Sequence, residues 1–131
     1  MSKTYEFLKQ CGTFFVTTVN GTHPAARPFG AVMEYEEELY ISTANTKEVY
    51  SHLIANPFIQ VVAIKTGTRD WIRISGKAIE VSDVNIKQAM LDAYPALLKR
   101  FDTNECDFFA LFKISEMKSS LYSNNGVTIL N

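Results

Sequence analysis

Within six residues, Ser42-Thr43-Ala44-Asn45-Thr46-Lys47, the chain gathers three hydroxyls, an amide and an ammonium. The β-forming residues before this segment and the helix-forming ones after it place it at a strand end that opens into a helix N-terminus. The first turn of a helix leaves N–H groups unpaired and carries partial positive charge, so the segment suits an anion, a phosphate above all. Thr46 or Ser42 adds hydroxyl contacts and Lys47 a counter-charge. Arg27, on a neighbouring strand, can reach the same group, and its planar fork is the better bidentate phosphate ligand. The same residues also admit an ordinary reading, with Thr46 a plain N-cap, Lys47 a solvated charge and Arg27 a salt-bridge partner.

Other chemistry finds little support. Cys11 and Cys106 stand alone without a C-x-x-C spacing and read as free thiols. His23 and His52 fall in no metal-binding spacing, so no metal site is expected. No G-x-S-x-G elbow is present, and no side chain can be assigned as a catalytic acid, base or nucleophile. An enzyme built on this chain would need a borrowed cofactor. Thirteen Lys and Arg against fourteen Asp and Glu give a net charge of −1 with no basic stripe, which argues against a nucleic-acid partner. No apolar run is long enough to cross a membrane and the polar start is unlike a signal peptide, so a cytoplasmic protein without a membrane partner is expected.

The elements that must hold these residues read as one domain over 1–131, with 47% hydrophobic residues and a core rich in aromatics. Ser2 caps a short first helix that stops at Gly12. Thr13 to Val19 runs as a strand into Asn20-Gly21, a strong hairpin signal, and pairs with a strand from Ala25 to Tyr35. Pro28 and Gly30 in that strand mark an unpaired edge beside a ligand or partner. Leu39 to Thr43 is a short strand. Thr46 to Ala55 is a helix with Val49, Leu53 and Ile54 inward, ended by Asn56-Pro57. Phe58 to Lys65 and Trp71 to Val81 form a second hairpin. Ser82 or Asp83 caps a helix that Pro95 interrupts, with an apolar stripe continuing through Leu97, Leu98 and Phe101. Phe108 to Met117 is the last clear strand, with Lys118 to Tyr122 a possible short one. About six antiparallel strands with flanking helices point to a mainly β fold, a small closed or split β-barrel.

Five pieces in order carry a resemblance: Ala26-Arg27-Pro28-Phe29-Gly30, Leu39-Tyr40-Ile41-Ser42-Thr43, Asn45-Thr46-Lys47-Glu48-Val49-Tyr50, Asn56-Pro57, and Trp71-Ile72-Arg73-Ile74-Ser75-Gly76-Lys77-Ala78. Together they resemble the pyridoxamine 5′-phosphate oxidase-related FMN-binding split-barrel superfamily, and within it the small flavoproteins like general stress protein 26. The resemblance implies a homodimer with FMN in a groove between subunits. It implies that Arg27 and Lys47 hold the phosphate, with Asn45 and Thr46 donating at the helix start. Ser42 and Thr43 would line the ribityl and ring side, and the backbone of Pro28, Phe29 and Gly30 would follow the isoalloxazine edge. Trp71 stands where vitamin-processing members carry a glutamine near the ring; it also fits a plain core role.

Departures from the family pattern matter equally. Val32 occupies the position at which true pyridoxamine phosphate oxidases place a lysine for substrate phosphate, and the segment Asn124-Asn125-Gly126-Val127-Thr128-Ile129-Leu130 resembles nothing in their C-terminal extension. Vitamin oxidation is therefore not expected. The function implied is a flavin-dependent oxidoreductase moving hydride between a nicotinamide donor and a small acceptor. The alternative is an FMN-binding module without turnover, a flavin store or stress-related sensor. A tetrapyrrole ligand fits less well, given two histidines outside any motif.

Overall fold

The computed structural model describes residues 1–130. Helix α1 (Lys3–Cys11) begins at Ser2, whose side chain accepts a hydrogen bond from the Tyr5 N–H, and ends at Gly12 with φ 78°. Only a residue free of a Cβ takes that left-handed conformation at no cost, which is why the helix stops there. Strands β1 (Phe14–Asn20) and β2 (His23–Phe29) follow as an antiparallel hairpin around Gly21. Next come β3 (Val32–Tyr35), β4 (Glu38–Ala44) and α2 (Glu48–Ala55). Beyond α2 lie the hairpin β5 (Phe58–Ile64) and β6 (Trp71–Val81), α3 (Val84–Ala93), a 3-10 turn over Pro95–Leu97 and the short α4 (Leu98–Phe101). The long β7 (Phe109–Ser123) and β8 (Gly126–Ile129) close the order.

All pairings are antiparallel, in the order β2-β1-β5-β6-β7-β4-β3, with β8 added to β7. Mainly β architecture with flanking helices is thus confirmed, in an open sheet of eight strands rather than about six. Two causes account for the extra strands. The segment from Ala25 to Tyr35 does not run as one strand: it breaks after Phe29, and its halves lie at opposite ends of the strand order. Pro28 lacks a ladder donor and Gly30 frees the backbone, so the chain crosses the split of the barrel between β2 and β3 here. At the other end, the two candidate strands at Phe108–Met117 and Lys118–Tyr122 fuse into β7, and a hairpin adds β8.

Inward residues of the strands build the core. Phe14, Val16, Val61, Ile72, Ile74 and Phe112 are buried together, sealed on one side by Phe7 and Leu8 of α1 and by Val49 and Leu53 of α2. A second cluster gathers Met90 and Leu91 of α3 with Phe101, Phe109 and Leu111. Ile54, expected inward, is 57% exposed; the inward position on that turn of α2 is taken by His52. No helix of the described residues is long and apolar enough to cross a membrane.

Candidate functional site

A cleft of about 270 Å3 opens where the chain crosses from β2 to β3. It is lined by three stretches of the chain: Arg27 to Ala31; Ser42 and Thr43 at the end of β4 with Lys47 and Val49 at the start of α2; and Tyr94, Ala96, Leu97, Arg100 and Phe101. Seven of the ten residues singled out above, Arg27, Pro28, Phe29, Gly30, Ser42, Thr43 and Lys47, therefore meet in one place.

The start of α2 owes its form to local sequence. Lys47 sits at the N-cap position of α2, and its side chain makes no capping bond. The Tyr50 N–H donates to the Lys47 carbonyl at 3.1 Å, and the Glu48 and Val49 N–H groups before it are left without a side-chain cap. Among the described residues the Lys47 ammonium has no hydrogen bond or ion pair, and the Ser42 and Thr43 hydroxyls have no hydrogen-bond partner. Expected contacts at the helix start differ here. Thr46 does not cap α2, and the Asn45 amide donates instead to the Asp107 carbonyl at 2.8 Å, tying the β4–α2 turn to the approach of β7. A side chain so committed is held away from the cleft lining.

Arg27 is held by a network of its own. Its Nη1 donates to the Val16 carbonyl (3.1 Å), the Ala25 carbonyl (3.1 Å) and Thr18 Oγ1 (2.8 Å). Its Nη2 lies 3.2 Å from His52 Nδ1, which is also 2.8 Å from Thr18 Oγ1. An arginine has donors only, so Nδ1 accepts and the ring proton is assigned to Nε2. Burial draws the Arg27 guanidinium below the ordinary arginine range and the negative charge of Glu48 partly offsets this; the group stays charged. His52, unassigned from sequence, thereby supports the cleft's most enclosed cation. A lone histidine on a helix gives no signal of such a role.

The wall from Tyr94 to Phe101 also escaped the sequence reading as part of a site. Tyr94 closes α3, and the following Pro95 keeps it out of the helical region (φ −133°, ψ 77°), so the chain leaves the helix beside the cleft. Leu97 gives this segment an apolar side chain, and Arg100 adds a cation whose guanidinium lies 5.5 Å from the centre of the Phe101 ring. No carboxylate, histidine or cysteine lines the cleft. Cationic donors beside apolar lining suit an anionic ligand with a flat ring, a description that a flavin phosphate such as FMN meets.

Trp71 lies elsewhere in this chain. It stacks on Tyr122 (centroids 4.1 Å apart, planes 8° apart) at the start of β6, with Arg73 above both rings. Neither the stack nor a core position brings it to the cleft.

Known proteins share this fold. The family model described as pyridoxamine 5′-phosphate oxidase matches residues 2–104. A NimC/NimA family protein from Clostridium acetobutylicum shares 32% identity, with a TM-score of 0.91 over 98% of this chain and 89% of that one. Two more distant structures share the fold: a pyridoxamine 5′-phosphate oxidase-related, FMN-binding protein from Nostoc punctiforme (14% identity, TM-score 0.60, 98% and 94% covered) and the haem storage protein HutZ from Vibrio cholerae (14%, 0.70, 97% and 92%). No curated protein sequence matches.

Proposed function

This chain belongs to the pyridoxamine 5′-phosphate oxidase family, and from that premise we propose that it binds FMN in the cleft and acts as a flavin-dependent oxidoreductase between a nicotinamide donor and a small acceptor. The observation that carries this reading is the lining of the cleft, cationic and apolar with no carboxylate. Arg27, Lys47, Arg100 and the uncapped start of α2 give the cleft positive charge, while Phe29, Ala31 and Leu97 give it apolar lining. Arg27 and Lys47 would grip the phosphate, Ser42 and Thr43 would bond the ribityl chain, and the backbone from Pro28 to Gly30 would follow the ring edge. When bound, the flavin supplies hydride and electron transfer. The chain itself binds, orients and excludes water. A backbone N–H on the Pro28–Gly30 wall is the donor best suited to face the reacting nitrogen.

Val32 supports a reading away from vitamin oxidation. Its side chain is buried in the core, so the position offers no cation to a second phosphate. Haem is less well supported than FMN: His52 turns its Nδ1 to Arg27 and Thr18, and His23 lies on the exposed start of β2.

A second copy completes the proposal. At about 270 Å3 the cleft falls just under the roughly 300–1,000 Å3 usual for ligand pockets. The outward face of the sheet aligns Phe15, Val62 and Arg73 in one row and Ile64, Trp71, Tyr122 and Val127 in the next. Phe15 is 48% exposed and Ile64 57%, an apolar surface a homodimer would cover. Pairing across it would also give Trp71 a route to the partner's cleft, and a cytoplasmic location is consistent with two free thiols.

One observation favours the non-catalytic alternative. The Tyr94 hydroxyl is the sole ionisable proton donor lining the cleft besides the cations, and it is committed to the backbone. Anaerobic addition of NADH and NADPH to the FMN-loaded protein separates the two. Rapid bleaching of the flavin is expected of the oxidoreductase; bleaching by dithionite alone would make the protein a flavin-holding module.

A further inference from the structure

The Tyr94 hydroxyl spends its whole hydrogen-bonding capacity at one point. It donates to the Val32 carbonyl at 2.8 Å, and accepts from the Val32 N–H at 3.1 Å and from Lys9 Nζ at 3.1 Å. A phenol has one donor and two acceptor positions, so nothing is left over. Val32 opens β3, the last strand of the sheet, whose far edge has no neighbouring strand. Its outward N–H and C=O would otherwise be unpaired, and a side chain stands in for the missing strand. Lys9 of α1 also lies 4.7 Å from the centre of the Tyr94 ring, which holds the phenol from a third element.

The location of this tie gives it a role. Immediately before Val32, Phe29 to Ala31 line the cleft; shortly after Tyr94, Ala96, Leu97, Arg100 and Phe101 line it as well. Val32 and Tyr94 thus adjoin the two segments that line the cleft, and one hydroxyl joins them. We propose that Tyr94 is a positioning residue that sets the width of the cleft by tying its walls together through the backbone of Val32, with Lys9 locking the phenol in place. The tie can be tested whether or not FMN is the ligand; only its consequence for the ligand rests on the flavin reading.

The test compares wild type, Tyr94→Phe and Lys9→Met. Hydrogen exchange on the ligand-free proteins should show amides at residues 29–33 and 94–101 exchanging about tenfold faster in Tyr94→Phe, with β5 and β6 unchanged. Lys9→Met, which keeps the Val32 bonds, should show a smaller change in the same segments. On the FMN-loaded proteins, Tyr94→Phe should release the flavin about tenfold faster and alter its visible circular dichroism. Unchanged exchange at both segments in a folded Tyr94→Phe overturns the proposal. Faster exchange with wild-type release and wild-type flavin dichroism also overturns it, because the tie would then be structural only. If wild type takes up no FMN, the flavin reading falls and the exchange data alone decide the tie. Should Tyr94→Phe fail to fold, Lys9→Met decides by the same segments.

Discussion

Lys47 and Arg27 share a charge and a cleft, yet the structure gives them different costs of removal. Lys47 is exposed and without a partner among the described residues, so Lys47→Ala should weaken FMN binding by about 1.5–3 kcal/mol, the worth of a charge-assisted hydrogen bond, and leave the melting of the apo protein unchanged. Calorimetric titration beside a thermal melt checks both halves. Arg27→Ala should weaken FMN by a similar amount and also lower apo stability by about 1–2 kcal/mol, because Val16, Ala25, Thr18 and His52 lose a common donor. Equal melting of the two variants would show the Arg27 network to be inert. The cations were legible in sequence because a strand end meeting a helix start is a local pattern. His52 was not, since its partner Thr18 lies 34 positions away and no spacing announces it.

At the scale of elements, the break between β2 and β3 makes the site. Pro28 and Gly30 announced an unpaired edge, and the sequence alone could not show that the chain uses that break to cross to the other end of the sheet. A second irregularity is the bulge of β7 opposite Ser75/Lys77 of β6, where three steps from Ser115 to Lys118 face two and Glu116 takes φ 52°; the bulged strand crowds Gly76. A Cβ on Gly76 would stand 2.9 Å from both the Ile114 Cγ2 and the Ser115 carbonyl oxygen. Gly76→Ala should therefore cost about 1–3 kcal/mol, read as a lower urea midpoint with an unchanged slope. The bulge lies away from the cleft lining, so FMN affinity per folded molecule should stay the same; a variant as stable as wild type would mean the β6–β7 ladder yields more easily than its contacts suggest. In the sequence the segment from Tyr94 to Phe101 shows only an apolar stripe, because helical periodicity reports that a face is buried and not what it faces.

At the scale of the whole molecule, the outward sheet face and the cleft raise the same expectation. Sedimentation should give a dimer at micromolar concentration, and Ile64→Asp, placed among exposed apolar residues, should give a monomer with FMN affinity reduced about tenfold or more. A monomeric wild type that still holds FMN would detach the site from the dimer. Central to the account is that the cleft recognises a flavin by its phosphate. The most direct measurement is calorimetric titration of the apo protein with FMN and, separately, with riboflavin, which lacks the phosphate. FMN should bind at one per chain and riboflavin at least about a hundredfold more weakly, the sum of two charge-assisted contacts at the low end of their range. Equal affinity for the two flavins, or no uptake of either, would contradict the assignment of Arg27, Lys47 and the start of α2.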